Sequence, residues 1–165
     1  MIKYLPDMTS VVLEEIPDRV SIAVNVTGCQ GHCSGCHTPI LREDGGAPLN
    51  ESVIDALVRE HFGVDCFLFL GEGRDPEALR ALAAHVRSLG LKAALYSGRE
   101  AVEEEIWEAF DYVKTGPYMP EKGPLNHPAT NQRLYRRDGG TGRAAFTDIT
   151  ARFWRRGIDP YVSKV

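Results

Sequence analysis

Three of the chain's four cysteines, Cys29, Cys33 and Cys36, fall within eight positions in the pattern C-x-x-x-C-x-x-C. Thiolate is a soft ligand that selects zinc, copper(I) or iron–sulfur centres, and Gly28, Gly31 and Gly35 let so short a loop bend around one of them. A four-iron cluster normally takes four cysteines, so a three-cysteine loop leaves one iron open to a substrate or cofactor. The competing chemistry is a structural zinc site with His32, His37 or His61 as fourth ligand, since Cys3His is a common closed zinc set. Structural zinc sites usually pair one knuckle with a second downstream, however, and after residue 36 only the isolated Cys66 remains. A disulfide suits these residues least. The opening segment Met1–Asp7 lacks the apolar core of a secretory signal, and four cysteines in 165 residues without one are expected in a reducing cytoplasm.

The elements that must position the loop are legible on either side of it. Val11–Glu15 and Arg19–Val26 are β-rich runs joined through Pro17-Asp18, a hairpin pattern whose second run alternates Val20, Ile22, Val24 and Val26 and delivers the chain into the loop. Asp44–Pro48 reads as a breaker and Asn50 as a helix cap, followed by the stripe Val53, Ile54, Leu57, Val58 and Phe62, with Gly63 as the stop. Cys66–Leu70 is a continuous apolar run, the pattern of a strand covered on both faces, so Cys66 reads as a small core residue. Asp75-Pro76-Glu77 opens a helix striped by Leu79, Leu82, Ala83, Val86 and Leu89, from which His85 points to solvent. Lys92–Tyr96 is the next strand, Glu100–Phe110 the next helix and Tyr112–Lys114 a further strand. Such alternation implies parallel strands joined by right-handed crossovers, with the loops at their carboxyl ends opening on one side. The cysteine loop, Gly71-Glu72-Gly73, Ser97-Gly98-Arg99 and Lys114-Thr115-Gly116 should therefore meet at one mouth.

From Gly116 the pattern breaks, because Pro117, Pro120, Pro124 and Pro128 exclude regular helix or central strand; a long irregular loop in a small domain reads as a lid. Asn131–Tyr135 returns as a short strand, Asp138–Gly142 reads as a linker, and Phe146, Ile149, Phe153 and Trp154 can dock a short terminal helix. Residues 133–165 hold eight Lys or Arg against three Asp or Glu, +5, so residues 1–132 carry −9 of the net −4. A basic tail of this kind, with Arg152, Arg155 and Arg156, is either a solvated end or a docking surface for an acidic partner or nucleic acid. No run reaches the apolar length of a membrane span.

The cysteine triplet directly after a first strand resembles the signature of the radical S-adenosylmethionine superfamily. Cys33-Ser34-Gly35-Cys36-His37, Tyr96-Ser97-Gly98-Arg99, Lys114-Thr115-Gly116-Pro117-Tyr118 and Thr130-Asn131-Gln132-Arg133-Leu134-Tyr135 resemble, in that order, segments of the anaerobic ribonucleotide reductase activating proteins. The resemblance covers roughly residues 10–136. It implies an α/β fold, a partial (open) β/α barrel with a mostly parallel sheet and the cluster loop at the carboxyl ends of the strands. Residues 1–136 would form this domain, and 137–165 a linker and basic tail of it. Cys29, Cys33 and Cys36 would hold one four-iron four-sulfur cluster, whose open iron chelates S-adenosylmethionine. Gly71, Glu72 and Gly73 fall where the family holds the methionine amino group, although Leu70 stands where a second glycine is expected; Ser97 and Lys114 are candidates for the ribose or carboxylate. Asn131, Gln132 and Arg133 receive no role from the resemblance.

The reaction so implied is reductive cleavage of S-adenosylmethionine and abstraction of hydrogen from a glycine of the large anaerobic ribonucleotide reductase subunit. An electron donor such as flavodoxin or ferredoxin would serve it, with no membrane and no nucleic acid. The alternatives are a radical enzyme acting on another glycyl radical enzyme or on a small metabolite, and a zinc-stabilised binding module.

Overall fold

The computed structural model describes residues 1–31 and 33–154. The chain begins with β1 (Ile2–Tyr4), then makes the expected hairpin from β2 (Ser10–Val12) and β3 (Ser21–Asn25), with Val12 opposite Ser21. After the cysteine loop come β4 (Ala47–Leu49) and α1 (Glu51–Glu60), whose first turn is capped by Asn50 Oδ1 accepting from Val53 N–H at 3.1 Å. Two strand–helix repeats and a further strand complete the parallel part: β5 (Cys66–Leu70), α2 (Pro76–Ser88), β6 (Lys92–Tyr96), α3 (Glu104–Ala109) and β7 (Tyr112–Thr115). The chain closes with β8 (Arg133–Arg137), β9 (Phe146–Asp148) and a single turn, α4 (Ala151–Trp154).

The main sheet is open, mixed and seven-stranded, in the order β2-β3-β5-β6-β7-β8-β9. Its four central strands β3, β5, β6 and β7 run parallel, and the outer pairings are antiparallel. Because these four strands are added in one direction, right-handed crossovers put α1, α2 and α3 on the same face. Side-chain alternation then divides the core in two. Ile22, Val24, Phe67, Phe69, Leu95 and Val113 pack with Ile54, Leu79, Val86 and Ile106 of the helices. Ala23, Cys66, Leu68, Ala94, Tyr112 and Leu134 form a smaller cluster on the other face with Ile16 and Ile149. Complete burial of Phe67 and Phe69 stabilises by roughly 1.5–3 kcal/mol each, which makes β5 the central beam of the fold. This one-sided winding is what the open barrel requires.

The register aligns the strand ends. Asn25, Leu70, Tyr96 and Lys114 are successive partners across β3, β5, β6 and β7, so the loops that follow all leave the sheet at one level.

Several local expectations are corrected. Pro48, read as part of a breaker, sits in β4 opposite Lys3 of β1, in a two-stranded sheet where a missing N–H is tolerated. Phe62 and Leu89 lie beyond the ends of their helices and are exposed. His85 is not solvated: its Nε2 lies 2.8 Å from Asp55 Oδ1, tying α2 to α1. α3 starts at Glu104 rather than Glu100, after a non-helical stretch in which Arg99 pairs with Glu103. Residues 138–142 form the β8–β9 connection. Buried Phe146 and Ile149, with the Arg143 guanidinium 4.8 Å over the Trp107 ring and 4.1 Å over that of Tyr135, make the segment through Trp154 part of the fold. Arg152 pairs with Asp18 at 2.5 Å, while Arg155 and Arg156 lie outside the described residues. Among the described residues no helix is long and apolar enough to cross a membrane.

Candidate metal and cofactor site

The cysteine loop is anchored before its first ligand. Past β3, Val26 N–H donates to Leu70 O and Thr27 N–H to Lys3 O, each at 3.0 Å; Gly28 and Cys29 N–H then donate to Glu43 O and Leu41 O at 3.0 and 2.8 Å. Gly31 locates two thiols: a Cβ there would lie 3.4 Å from Cys29 Sγ and 3.9 Å from Cys33 Sγ, so both sulfurs flank a position that carries no side chain. Cys36 N–H donates to Cys33 O at 3.3 Å, a turn that needs the positive φ of Gly35. The proline-rich segment covers this turn: Pro120 would stand 3.0 Å from a Cβ on Gly35, and the Tyr118 and His37 rings lie 4.8 Å apart. Among the described residues no three His, Cys, Asp or Glu side chains converge on one centre.

The donor set nevertheless fits a soft metal centre. All three loop cysteines are free and half-exposed, a setting in which thiols suit a soft metal. His61, one of the zinc alternatives, closes α1 at the opposite end of the parallel strands, where its Nδ1 lies 2.7 Å from Leu57 O. His32 lies outside the described residues.

Beside the loop is a cavity of about 570 Å³, bordered by Cys29 and Cys33 on one side and by Gly71, Glu72, Gly73, Gly98 and Arg99 on the other. That volume suits a nucleoside-sized ligand. Gly71 has a φ of +112°, and a Cβ on it would lie 3.2 Å from Val26 O, so the wall approaches the loop this closely only with glycine there. Glu72 projects into the mouth and is held on two sides. The Ser97 hydroxyl donates to Oε1, while Arg99 sends Nε to Oε1 at 3.1 Å and Nη2 to Oε2. Arg99 Nη1 also reaches Glu103 at 2.6 Å. The hydrogen bond to Glu72 holds the guanidinium proton more tightly than usual, burial opposing, and the one from Arg99 lowers the Glu103 carboxyl.

Lys114 lies behind this wall, 7% exposed, with Nζ donating to Gly116 O at 2.7 Å and Ser97 O at 3.3 Å. Burial pushes its ammonium down to about 8, against the pull of the Cys33 charge.

The structure thus brings together Cys29, Cys33, Gly71, Glu72 and Gly73 at the cavity. Ser97 and Lys114 stand one layer back, serving Glu72 and the backbone, and Cys36 stays in the loop away from the cavity lining. Asn131 Nδ2 donates to Pro117 O at 2.9 Å and Arg133 Nη1 to Thr130 O at 2.9 Å, so this segment fastens the return of the lid. Arg74, Arg80 and Glu103 also line the cavity and were not singled out from the sequence, and Arg99, named there in the Ser97-Gly98-Arg99 loop, was given no role. For Arg99 the available signal was its place directly after a strand, in a loop already marked by Ser97. Compared with known proteins, the chain matches no family model, no curated protein and no solved structure.

Proposed function

We propose that this chain is an iron–sulfur radical S-adenosylmethionine activase that generates a glycyl radical on an anaerobic ribonucleotide reductase. The observation that carries the reading is the pairing, across one cavity, of the thiols of Cys29 and Cys33 with the Gly71-Glu72-Gly73 turn. Cys29, Cys33 and Cys36 would hold a four-iron four-sulfur cluster, which when bound supplies one electron at low potential to a sulfonium. Everything else falls to the chain itself. The turn at Gly71 admits ligand close to the backbone, Glu72 presents a carboxylate to an ammonium group, and the segment from Pro117 to Thr130 covers the turn between Cys33 and Cys36. One electron added to S-adenosylmethionine breaks a carbon–sulfur bond and gives methionine and a 5′-deoxyadenosyl radical. Hydrogen transfer from a glycine Cα of the partner then gives 5′-deoxyadenosine and the glycyl radical. Free thiols suit a cytoplasmic setting, with flavodoxin or ferredoxin as donor.

The test is anaerobic incubation of the reconstituted chain with S-adenosylmethionine, a strong reductant and the large reductase subunit. Methionine and 5′-deoxyadenosine should form in equal amounts, together with a glycyl radical signal on the subunit. Cleavage without a radical would move the reading to a different glycyl radical enzyme or a metabolite. No cleavage would leave the zinc-stabilised module.

A further inference from the structure

Arg99 has an unusual station in the cavity wall. Its guanidinium forks onto both carboxylate oxygens of Glu72 and reaches Glu103 with its third nitrogen. The Glu72 side chain is 17% exposed, those of Arg99 and Glu103 45% and 58%, so the guanidinium closes over the carboxylate from the solvent side. The Arg99 backbone is fixed separately: its N–H donates to Ser97 Oγ at 3.0 Å, and its carbonyl accepts from Gly116 N–H at 2.6 Å. The side chain can therefore leave Glu72 while the loop stays in place.

With the guanidinium on both Glu72 oxygens, a cationic ligand group pairs fully with the carboxylate by taking the guanidinium's place. The exchange is one cation for another, so the partly buried carboxylate is never left unpaired, which would be the costly state. The outgoing Arg99 is nearly half in water and already bonded to Glu103, so its release costs little. We propose that Arg99 is a displaceable counter-ion, occupying the Glu72 carboxylate until a ligand ammonium replaces it, with Glu103 then holding the guanidinium at the rim. The identity of the ligand rests on the adenosyl reading above; the device itself is in the side-chain geometry. It makes the site selective: an adenosyl compound lacking the amino acid moiety leaves the clasp shut.

The experiment is calorimetric titration of the anaerobically reconstituted full chain with two probes. S-adenosylhomocysteine carries the ammonium, and 5′-deoxy-5′-methylthioadenosine shares the thioether nucleoside but lacks it. Arg99→Gln should tighten the first by about three- to tenfold and leave the second unchanged. Arg99→Lys, which keeps the charge but cannot fork, should fall between parent and Arg99→Gln, and serves if the Gln variant fails to fold. Glu103→Gln should weaken S-adenosylhomocysteine about two- to threefold, the opposite sign, since the displaced guanidinium loses its holder. In a Glu72→Gln background, Arg99→Gln should have no further effect on either probe. Weaker binding of S-adenosylhomocysteine by both Arg99 variants, or an equal shift for both probes, would overturn the clasp and make Arg99 a brace of the wall. If the parent bound neither probe at millimolar concentration, the adenosyl reading would fall and the clasp with it, so the two failures are distinct.

Discussion

Cys66 and the cysteines of the 29–36 loop are the same residue in opposite surroundings. Cys66 is fully buried in β5 against Leu68 and Ala94, and burial pushes its thiol up to about 12. Cys29, Cys33 and Cys36 are half-exposed in a loop pinned at its start, two of them opening onto a cavity. A thiol held neutral in an apolar strand is a packing unit; a half-exposed one in a loop with others nearby is open to metal binding. β3 and β5 pair in parallel with Cys66 opposite Ser21 and Leu70 opposite Asn25, so the buried thiol sits at the far end of the strand pair from the loop.

The strongest way to break this contrast is to remove one loop thiol. Cys29→Ala, Cys33→Ala and Cys36→Ala should each lose bound iron and all cleavage of S-adenosylmethionine, measured by iron content and methionine release. Full cleavage by any of them would contradict the ligand assignment, and for Cys36 would make the present loop geometry the working one. Next in size is Gly71→Val. With a φ of +112° and Val26 O at 3.2 Å from a Cβ, it should cost about 2 kcal/mol or more in urea unfolding and close part of the cavity.

Much of this contrast was readable beforehand. The apolar run Cys66–Leu70 read as a covered strand, and the stripes Leu79–Ala83–Val86 and Val53–Ile54–Leu57 as helices. Given parallel order, the meeting of four loops followed from handedness alone. What the residues did not reveal is non-local. Ile2–Tyr4 is too short to stand out, and its partner β4 contains a proline. Glu100–Glu103 has helical composition, yet α3 starts only at Glu104, and Arg99 ahead of it is bonded to Glu72 and Glu103. A contact between residues 27 positions apart leaves no periodicity to read. The docking of the basic end was legible in Phe146 and Ile149, but not the part played by Arg137 and Arg143, which look like surface charge. In the structure Arg137 donates to Phe110 O at 3.0 Å, and Arg143 lies over two aromatic rings.

Two smaller effects sharpen the comparison. Cys66→Ala should keep the iron and lose about 1 kcal/mol, the cost of a small cavity in β5. The matching chemical test is alkylation: iodoacetamide should label the three loop cysteines in the native protein stripped of metal, and Cys66 only after unfolding. Smallest is Arg152→Ser, which breaks an exposed pair with Asp18 and should change stability by less than about 0.5 kcal/mol. If that surface steers a partner, the same variant should slow association at low salt and leave it unchanged at high salt.

The central claim is that the loop thiols hold an open iron–sulfur cluster while Cys66 holds none of it. Metal and sulfide analysis of the parent chain and Cys66→Ala, both purified without oxygen, tests this most directly. Both should be brown and contain about four iron and four sulfide per chain. A colourless parent with one zinc per chain, or loss of iron in Cys66→Ala, would contradict it.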